Sequence, residues 1–261
     1  MEKNYEEFRN ENLEKAYLLL KDFMKFNDHW IEKTKKADYD LMFQKTSATA
    51  GPPVVKKQNY VDEFLSLRCA GDVLNVCNPI LNARKEISES MALIKKIKPL
   101  IIPHKGKYNI LDLCAGNALT SVLAVHLLPI SNAIAIDKRV RDRQWDKVKR
   151  FHYVFGDIYN NSHFRFFKDI IDKDTIIVSS HPCGELARQI IKIYKESNAK
   201  ALFIMPCCEG KLHRKYPNFI RTKIGRDGIW CWDLAQDIGA KLSKDNRCLS
   251  PKNIILSHVR D

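Results

Sequence analysis

The chain lacks the features that define several large classes of protein. It has no apolar run long enough to span a bilayer, no signal-peptide pattern at its start and no internal repeat. Its 8 cysteines form no C-x-x-C motif and no zinc-ribbon pairs with histidine. These absences predict a cytoplasmic protein, with the nucleus as the alternative, that keeps its thiols reduced and has no membrane partner and no resident metal.

A glycine-rich phosphate loop is also missing. No full G-x-G-x-x-G occurs, although the apolar run Tyr108–Leu113 ends in the small-residue turn Cys114-Ala115-Gly116 and leads into the apolar segment Ala118–Leu128. A strand, a tight turn and a helix in this order place backbone N–H groups at the carboxyl edge of a sheet, where a nucleotide-like ligand can approach. The missing pyrophosphate loop favours S-adenosylmethionine over NAD. A plain helix-capping turn is the other interpretation of this segment alone.

Further strands follow at regular spacing. Ala133–Asp137 ends in an acid placed to take two ribose hydroxyls. Three more strands are predicted at Phe151–Phe155, Thr175–Ser180 and Ala199–Met205, each followed by a turn. This alternation predicts an α/β fold, a doubly wound and mostly parallel seven-stranded Rossmann-like sheet.

The first hundred residues show a different pattern. An apolar stripe from Leu13 to Ile31 has helical spacing, and further helices are predicted at Tyr60–Cys69 and Ala83–Lys98. We therefore expect residues 1–100 to form a helical N-terminal extension or cap, and residues 101–261 to form the α/β domain.

Five segments of the α/β region resemble those of class I S-adenosylmethionine-dependent methyltransferases. They are Asp112-Leu113-Cys114-Ala115-Gly116, Asp137-Lys138-Arg139, Ser180-His181-Pro182-Cys183-Gly184, Pro206-Cys207-Cys208 and Ser250–Leu256. Within this class the chain is most similar to the family of tRNA acceptor-stem ribose methyltransferases that carry a CHHC zinc finger, although the finger is absent here. The turn after the first strand also resembles that of FtsJ-type RNA ribose methyltransferases, whose acid after strand four is replaced by His181.

The resemblance implies an enzyme that uses S-adenosylmethionine. Asp137 is expected to bind the ribose, the turn Cys114–Asn117 the amino-acid part, and Asp157 with Ile158 the adenine. The predicted cofactor-binding residues are Asp112, Cys114, Ala115, Gly116, Asn117, Asp137, Lys138, Asp157, Ile158 and Ser180.

Three residues after strands four and five are candidates for catalysis: His181, Cys183 and Glu209. The ordinary pKa of histidine lies near neutrality, so His181 suits a general base, although a purely structural histidine is the alternative. A covalent mechanism like that of RNA cytosine-5 methyltransferases also remains open, with Cys207 or Cys208 as the nucleophile and Cys183 assisting product release. A metal site formed by Cys207, Cys208 and His213 is disfavoured, because adjacent cysteines are awkward ligands for one tetrahedral ion.

The charge of the chain is strongly positive. The 44 basic side chains exceed the 31 acidic ones, which gives a net charge of +13. Two basic segments, Lys138–Arg150 and Lys211–Arg226, follow predicted strand ends and favour RNA as the partner, with Trp145 available to stack on a base. The predicted nucleic-acid-binding residues are Arg139, Arg141, Arg143, Lys211, Arg214 and Arg221.

Other functions remain open at this stage. A solvated lysine-rich face would explain the charge without RNA. The acceptor could also be a small molecule or a protein, since this fold does not fix the substrate. A cofactor-binding or RNA-binding module without turnover is the remaining alternative.

Overall fold

The computed structural model describes residues 59–261. It leaves undescribed the side chains of Asn161, Phe164, Phe166, Lys168, Phe219, Ile220 and Arg221. The predicted apolar stripe from Leu13 to Ile31 lies outside the described residues, as does the larger part of the predicted N-terminal extension.

A single mixed sheet organises this part of the chain. Its strands are β1 (Asn109–Leu113), β2 (Ala133–Asp137), β3 (Phe151–Phe155), β4 (Thr175–Ser180), β5 (Ala201–Met205), β6 (Lys241–Lys244) and β7 (Ile254–Val259). The strand order is β3-β2-β1-β4-β5-β7-β6, in which the pairs from β3 to β5 are parallel and β7 is antiparallel to both neighbours. The predicted α/β fold with a seven-stranded, mostly parallel sheet is confirmed.

Seven α-helices accompany the sheet in the described residues. They are α1 (Tyr60–Leu65), α2 (Ala70–Cys77), α3 (Ala83–Ile101), α4 (Leu119–Leu127), α5 (Asn161–Ile170), α6 (Glu185–Lys195) and α7 (Asn218–Gln236). Helix α3 packs on α4 and reaches β4 and β5, while α7 packs on β6 and β7. Helix α7 is kinked at Gly225, which has a φ of 76°. None of these helices combines the length and the apolar character needed to cross a membrane.

The central strands form because their apolar runs are covered on both faces. All residues of β5 are buried, and so are the last four of β1. Strands covered on both faces read as continuous apolar runs, which is why the sequence located β2 and β4 to the residue. The bounds of β3, an edge strand that is only partly buried, were also predicted correctly.

Three elements differ from their predicted form. The predicted helix Tyr60–Cys69 is shorter than expected, because α1 ends at Leu65 and the next helix, α2, begins only at Ala70. Asn59 is the N-cap of α1, and its side chain accepts hydrogen bonds from two backbone N–H groups of the first turn. Helix α3 continues through Pro99, because proline near a helix C-terminus removes one hydrogen bond without blocking the last turn. Strand β6 was not predicted, since it is short, polar and paired only with β7.

Candidate active site at the carboxyl edge of the sheet

The turn after β1 has an unusual backbone conformation. Cys114, Gly116 and Ala118 have φ values of 59°, 57° and 55°, and two of the three carry a side chain. Such left-handed residues cost free energy and persist where the surrounding structure imposes them. Here the Ala115 N–H donates to the Ile136 carbonyl over 3.0 Å, and the Ala118 N–H donates back to Ala115. Among the described residues no side chain caps α4, so none of them satisfies its N-terminal N–H groups in this way.

Asp137, at the end of β2, holds this turn to the next segment. Its carboxylate accepts the Gly116 N–H over 2.8 Å, and it accepts the backbone N–H, Nε and Nη2 of Arg139 over 3.0, 2.9 and 3.1 Å. Burial alone would raise the pKa of Asp137, but the Arg139 guanidinium and the two backbone N–H groups lower it. Asp137 is therefore ionised, and four donors occupy its lone pairs.

Asp112 lies in the middle of β1 and is fully enclosed. One carboxyl oxygen accepts a hydrogen bond from the Ser121 hydroxyl over 2.6 Å, whereas the other, Oδ1, has no hydrogen-bond partner in the described part of the chain. Burial, together with the charge of Asp137, raises the pKa of Asp112 to about 7. An unpartnered buried oxygen of this kind suits a ligand that brings a hydrogen-bond donor.

Acidic side chains surround Cys114 in the turn after β1. Burial, together with the charges of Asp137, Asp112 and Asp157, raises the pKa of the Cys114 thiol to about 12. Cys114 is thus a neutral thiol within the field of three acids. This environment favours a cationic ligand.

The segment after β3 forms another side of the predicted cofactor site. The Asp157 side chain accepts the Tyr159 N–H over 3.0 Å, and Gln189 donates to the Ile158 carbonyl over 2.8 Å. Gly156 is required here, because a Cβ atom would lie 2.8 Å from the Phe167 ring. The Tyr159 side chain is 51% exposed and sits beside the predicted adenine residues, yet the sequence did not single it out.

The remaining predicted cofactor residues differ in their surroundings. Lys138 is exposed directly after β2, and Ser180 ends β4. The Asn117 side chain donates to Glu86 over 3.0 Å and accepts from Arg143 over 3.4 Å. Asn117 therefore ties the turn to α3 rather than projecting as a free ligand.

His181 follows β4 with a φ of 58°, and its N–H donates to the Met205 carbonyl over 2.9 Å. Its Nε2 lies 2.5 Å from Oε1 of Glu89, a residue of α3 that is 1% exposed. The two atoms are not aligned as a hydrogen bond, so the contact is a close electrostatic one. Lys85 places its Nζ 3.6 Å from the same carboxyl oxygen. Glu89 thus faces both a histidine and a lysine.

Glu89 was missed by the sequence prediction. The available signal was its position, because it precedes Leu93 by four residues and Ile97 by eight and so shares their buried stripe. An acid on the apolar face of a helix needs a partner, and this one reaches His181.

Three thiols meet beside His181. The Sγ of Cys183 lies 2.9 Å from that of Cys207 and 3.5 Å from that of Cys208, and the sulfurs of Cys207 and Cys208 are 3.5 Å apart. The His181 carbonyl accepts from the thiols of both Cys183 and Cys207. Burial raises the pKa of Cys183, and burial together with the neighbouring thiols raises that of Cys207. His213 is not part of this group, whose third member is Cys183.

Glu209 and the loop after β5 are engaged in ion pairs. Glu209 Oε2 lies 3.1 Å from Nε of the exposed Arg226. Buried Asp233 accepts from the His213 N–H, the Tyr216 hydroxyl and the guanidinium of Arg188. These hydrogen bonds overcome the effect of burial and hold the pKa of Asp233 at about 2. These hydrogen bonds to Asp233 hold the loop that carries Lys211 against α7.

Several predicted RNA-binding side chains already have partners within the chain. Arg139 pairs with Asp137, and Arg214 pairs with Asp233 and Asp237. Arg143 donates to the carbonyls of Cys77 and Pro79. Arg141 is half-buried, and the side chain of Arg221 lies outside the described set.

The proposed base-stacking role of Trp145 is wrong. Its ring is 7% exposed and stacks on Tyr153 at 3.9 Å, because the segment folds back on β3. The cations that remain available at this edge include Lys138 and Lys211, which are exposed and form no ion pair with any described residue.

Comparison with known proteins identifies the class. Residues 83–215 match the family model described as a methyltransferase domain. This match spans just over half of the 261 residues, and the chain therefore belongs to the methyltransferase-domain family. It is an S-adenosylmethionine-dependent methyltransferase with the class I fold. No curated protein is significantly similar in sequence.

Solved structures of low sequence identity are similar to part of this chain. The Methanococcus jannaschii fibrillarin pre-rRNA processing protein is 16% identical over 61% of this chain and 69% of its own, with a TM-score of 0.41. The M. capricolum TrmK in complex with S-adenosyl-homocysteine is 12% identical over 63% and 66%, with a TM-score of 0.37. The precorrin-6y C5,15-methyltransferase of Geobacter metallireducens is 12% identical over 71% and 96%, with a TM-score of 0.41.

The residues at this edge fit the cofactor. S-adenosylmethionine carries a sulfonium and an ammonium, and the acids around Cys114 supply a field of opposite sign. The buried, unpartnered Oδ1 of Asp112 suits a hydrogen-bond donor on the ligand, and the start of α4, which no described side chain caps, suits a carboxylate. When bound, the cofactor supplies an already activated methyl group, so the protein contributes mainly by holding donor and acceptor in line.

Proposed function

We propose that this methyltransferase acts on RNA, at a ribose oxygen or a base nitrogen, with His181 as the general base. The observation that carries the proposal is the pairing of His181 with buried Glu89 at the carboxyl end of β4. This strand is the neighbour of β1, whose turn we expect to face the cofactor. An acceptor held beside the sulfonium therefore lies within reach of the end of β4.

The chemistry explains why a base is useful. A ribose hydroxyl is a weak nucleophile until its proton is removed, whereas the sulfonium needs no activation. Imidazole can accept that proton near neutral pH. A buried carboxylate beside the ring would stabilise the imidazolium that forms and fix the orientation of the ring. Glu89 thus acts as a positioning residue for His181.

Two features support RNA as the acceptor. The net charge of +13 suits a polyanion, and Lys138 and Lys211 stand exposed after β2 and β5, on either side of the β4 end. The segments Ser180–Gly184 and Pro206–Cys208 resemble those of tRNA acceptor-stem ribose methyltransferases. The arginines bound within the chain hold the site together, and the lysines are left to meet phosphates.

A cysteine nucleophile is less well supported. Covalent attack on a base requires a thiolate, and a raised pKa keeps a thiol neutral. Burial raises the pKa of both Cys183 and Cys207. Methyl transfer without an enzyme adduct is therefore the favoured course.

A transfer assay tests the proposal directly. The purified chain is incubated with methyl-labelled S-adenosylmethionine and either total RNA, RNA pretreated with ribonuclease, or protein extract. Label in intact RNA that disappears after ribonuclease is expected, and nucleoside analysis then identifies the methylated atom. Label that enters only protein or small molecules would reject RNA. The Asp137→Ala variant, which should bind the cofactor more weakly and therefore transfer less label at limiting cofactor, is the control for contaminating activity.

A further inference from the structure

We propose that Cys183, Cys207 and Cys208 bind one zinc ion through three thiolates and leave its fourth coordination position open. The ligands come from two loops, one after β4 and one after β5. A site of this kind would lie next to His181, on the acceptor side of the cofactor.

The spacing of the sulfurs suits such an ion. Zinc–sulfur bonds of about 2.3 Å in a tetrahedron place the sulfurs about 3.8 Å apart. The three Sγ–Sγ distances here are 2.9, 3.5 and 3.5 Å. An outward movement of a few tenths of an ångström on each sulfur would admit the metal. The adjacent residues Cys207 and Cys208 do converge, so their adjacency is no obstacle.

The two loops are already joined by their backbones. The His181 N–H donates to the Met205 carbonyl over 2.9 Å, and the Gly184 N–H donates to the Cys208 carbonyl over 3.1 Å. Gly184 has a φ of 52°, a conformation that suits glycine. These bonds bracket the thiols on both sides, so an ion would find its ligands gathered without further ordering of the chain.

Packing alone does not account for the cluster. Cys77, Cys231 and Cys248 are buried singly and fill apolar space, as free cysteines commonly do. Cys183 and Cys208 are exposed, and Cys207 is half-buried. Exposed thiols gain little from mutual contact in water, whereas they offer an open approach for a metal ion.

Zinc binding at this cluster has a definite proton balance and a definite number of ligands. Three thiols bind the ion as thiolates and release three protons, which leaves the centre with a net charge of −1. No fourth ligand from histidine, aspartate, glutamate or cysteine joins the group in the described residues. Zinc sites with three protein ligands keep their fourth position for water or a substrate atom. Here that position would face the acceptor.

Metal analysis of the whole chain tests this. Protein purified without chelators, or reconstituted with one equivalent of Zn²⁺ and desalted, should contain about one zinc per chain. Cobalt substitution should give the absorption of thiolate-to-metal charge transfer. Cys183→Ser and Cys208→Ser should each weaken zinc binding at least about tenfold. Cys69→Ser, a matched change at a half-buried thiol of another segment, should retain the metal.

Several results would contradict the proposed zinc site. Absence of zinc after reconstitution, or equal loss of metal in Cys69→Ser, would overturn the proposal. A Cys183–Cys207 disulfide that persists in freshly purified protein and excludes the metal would overturn it as well. Thermal melts identify any variant that does not fold. Cys183→Ser and Cys208→Ser change exposed residues, so they still test the site if a Cys207→Ser variant does not fold. Because metal content is measured without substrate, the result does not depend on the proposed RNA acceptor.

Discussion

Arg139 forms a bidentate ion pair with Asp137, the acid that ends β2. Its Nε lies 2.9 Å from Oδ1, and its Nη2 lies 3.1 Å from Oδ2 of the same carboxylate. The predicted role of Asp137 is to bind the ribose hydroxyls, so the guanidinium occupies the lone pairs that the ribose would need. Arginine and cofactor are therefore competitors for one carboxylate.

The competition predicts that Arg139→Ala tightens cofactor binding. An ion pair of a largely exposed arginine is worth about 0–1 kcal/mol, so the gain should not exceed about fivefold in Kd. Asp137→Ala should weaken binding by about 1–3 kcal/mol, because it leaves the ribose hydroxyls unpaired. Calorimetry with S-adenosylmethionine measures both. Arg226→Ala, which breaks the ion pair with Glu209, should leave the Kd unchanged. Weaker binding in Arg139→Ala would mean that the arginine contacts the cofactor instead.

Because the pKa of Asp112 is raised in the folded chain, we expect the stability of the protein to depend on pH. Its pKa is raised from 3.8 to about 7 in the folded chain, so the unfolded chain loses this proton first as the pH rises. The contribution of Asp112 to the free energy of unfolding is thus fully present below about pH 3.8 and is lost as the pH rises through about 7. Between about pH 5 and 8 this amounts to about 2–3 kcal/mol.

Asp112→Asn removes this titration. The free energy of unfolding of the variant relative to the wild-type chain should therefore increase between about pH 5 and 8, as measured by urea denaturation. Asp169→Asn, at an exposed position of α5, serves as the control and should show no such trend. A constant difference between the Asp112 variant and the wild-type chain would show that the carboxyl group is ionised within the folded protein.

The sequence was sufficient for the fold and insufficient for the side-chain contacts of the site. Strands such as Thr175–Ser180 are covered on both faces, and their composition therefore marks their bounds. The acids and the turn of the cofactor site follow from those bounds. The pairing of Glu89 with His181 joins residues 92 positions apart, and no local pattern encodes it. The meeting of Cys183 with Cys207 and Cys208 likewise depends on how β4 and β5 align.

The exposed lysines predict the salt dependence of RNA binding. Lys138→Ala combined with Lys211→Ala should weaken RNA binding and reduce the slope of log K against log salt by about 2, since each phosphate contact releases about one counterion. Lys149→Ala combined with Lys173→Ala makes the same change in charge at exposed positions that precede β3 and β4. That control pair lies at the opposite edge of the sheet and should affect binding much less. Equal effects of the two pairs would indicate a diffuse attraction without a defined surface.

His181 and Glu89 predict a graded loss of activity. His181→Ala should lower kcat by about two to four powers of ten while the Kd for S-adenosylmethionine is retained, because it removes the base and leaves the cofactor site intact. Glu89→Gln keeps the shape of the side chain and removes its charge. It should lower kcat less and leave KM for RNA nearly unchanged, since the imidazolium loses its carboxylate neighbour while the RNA-binding surface is untouched. Glu86→Gln, one turn away on α3, removes a charge that does not face His181 and should lower kcat less than Glu89→Gln does. Unchanged kcat in a folded His181→Ala variant, or an adduct trapped on 5-fluorocytosine RNA, would exclude His181 as the base and restore a cysteine nucleophile.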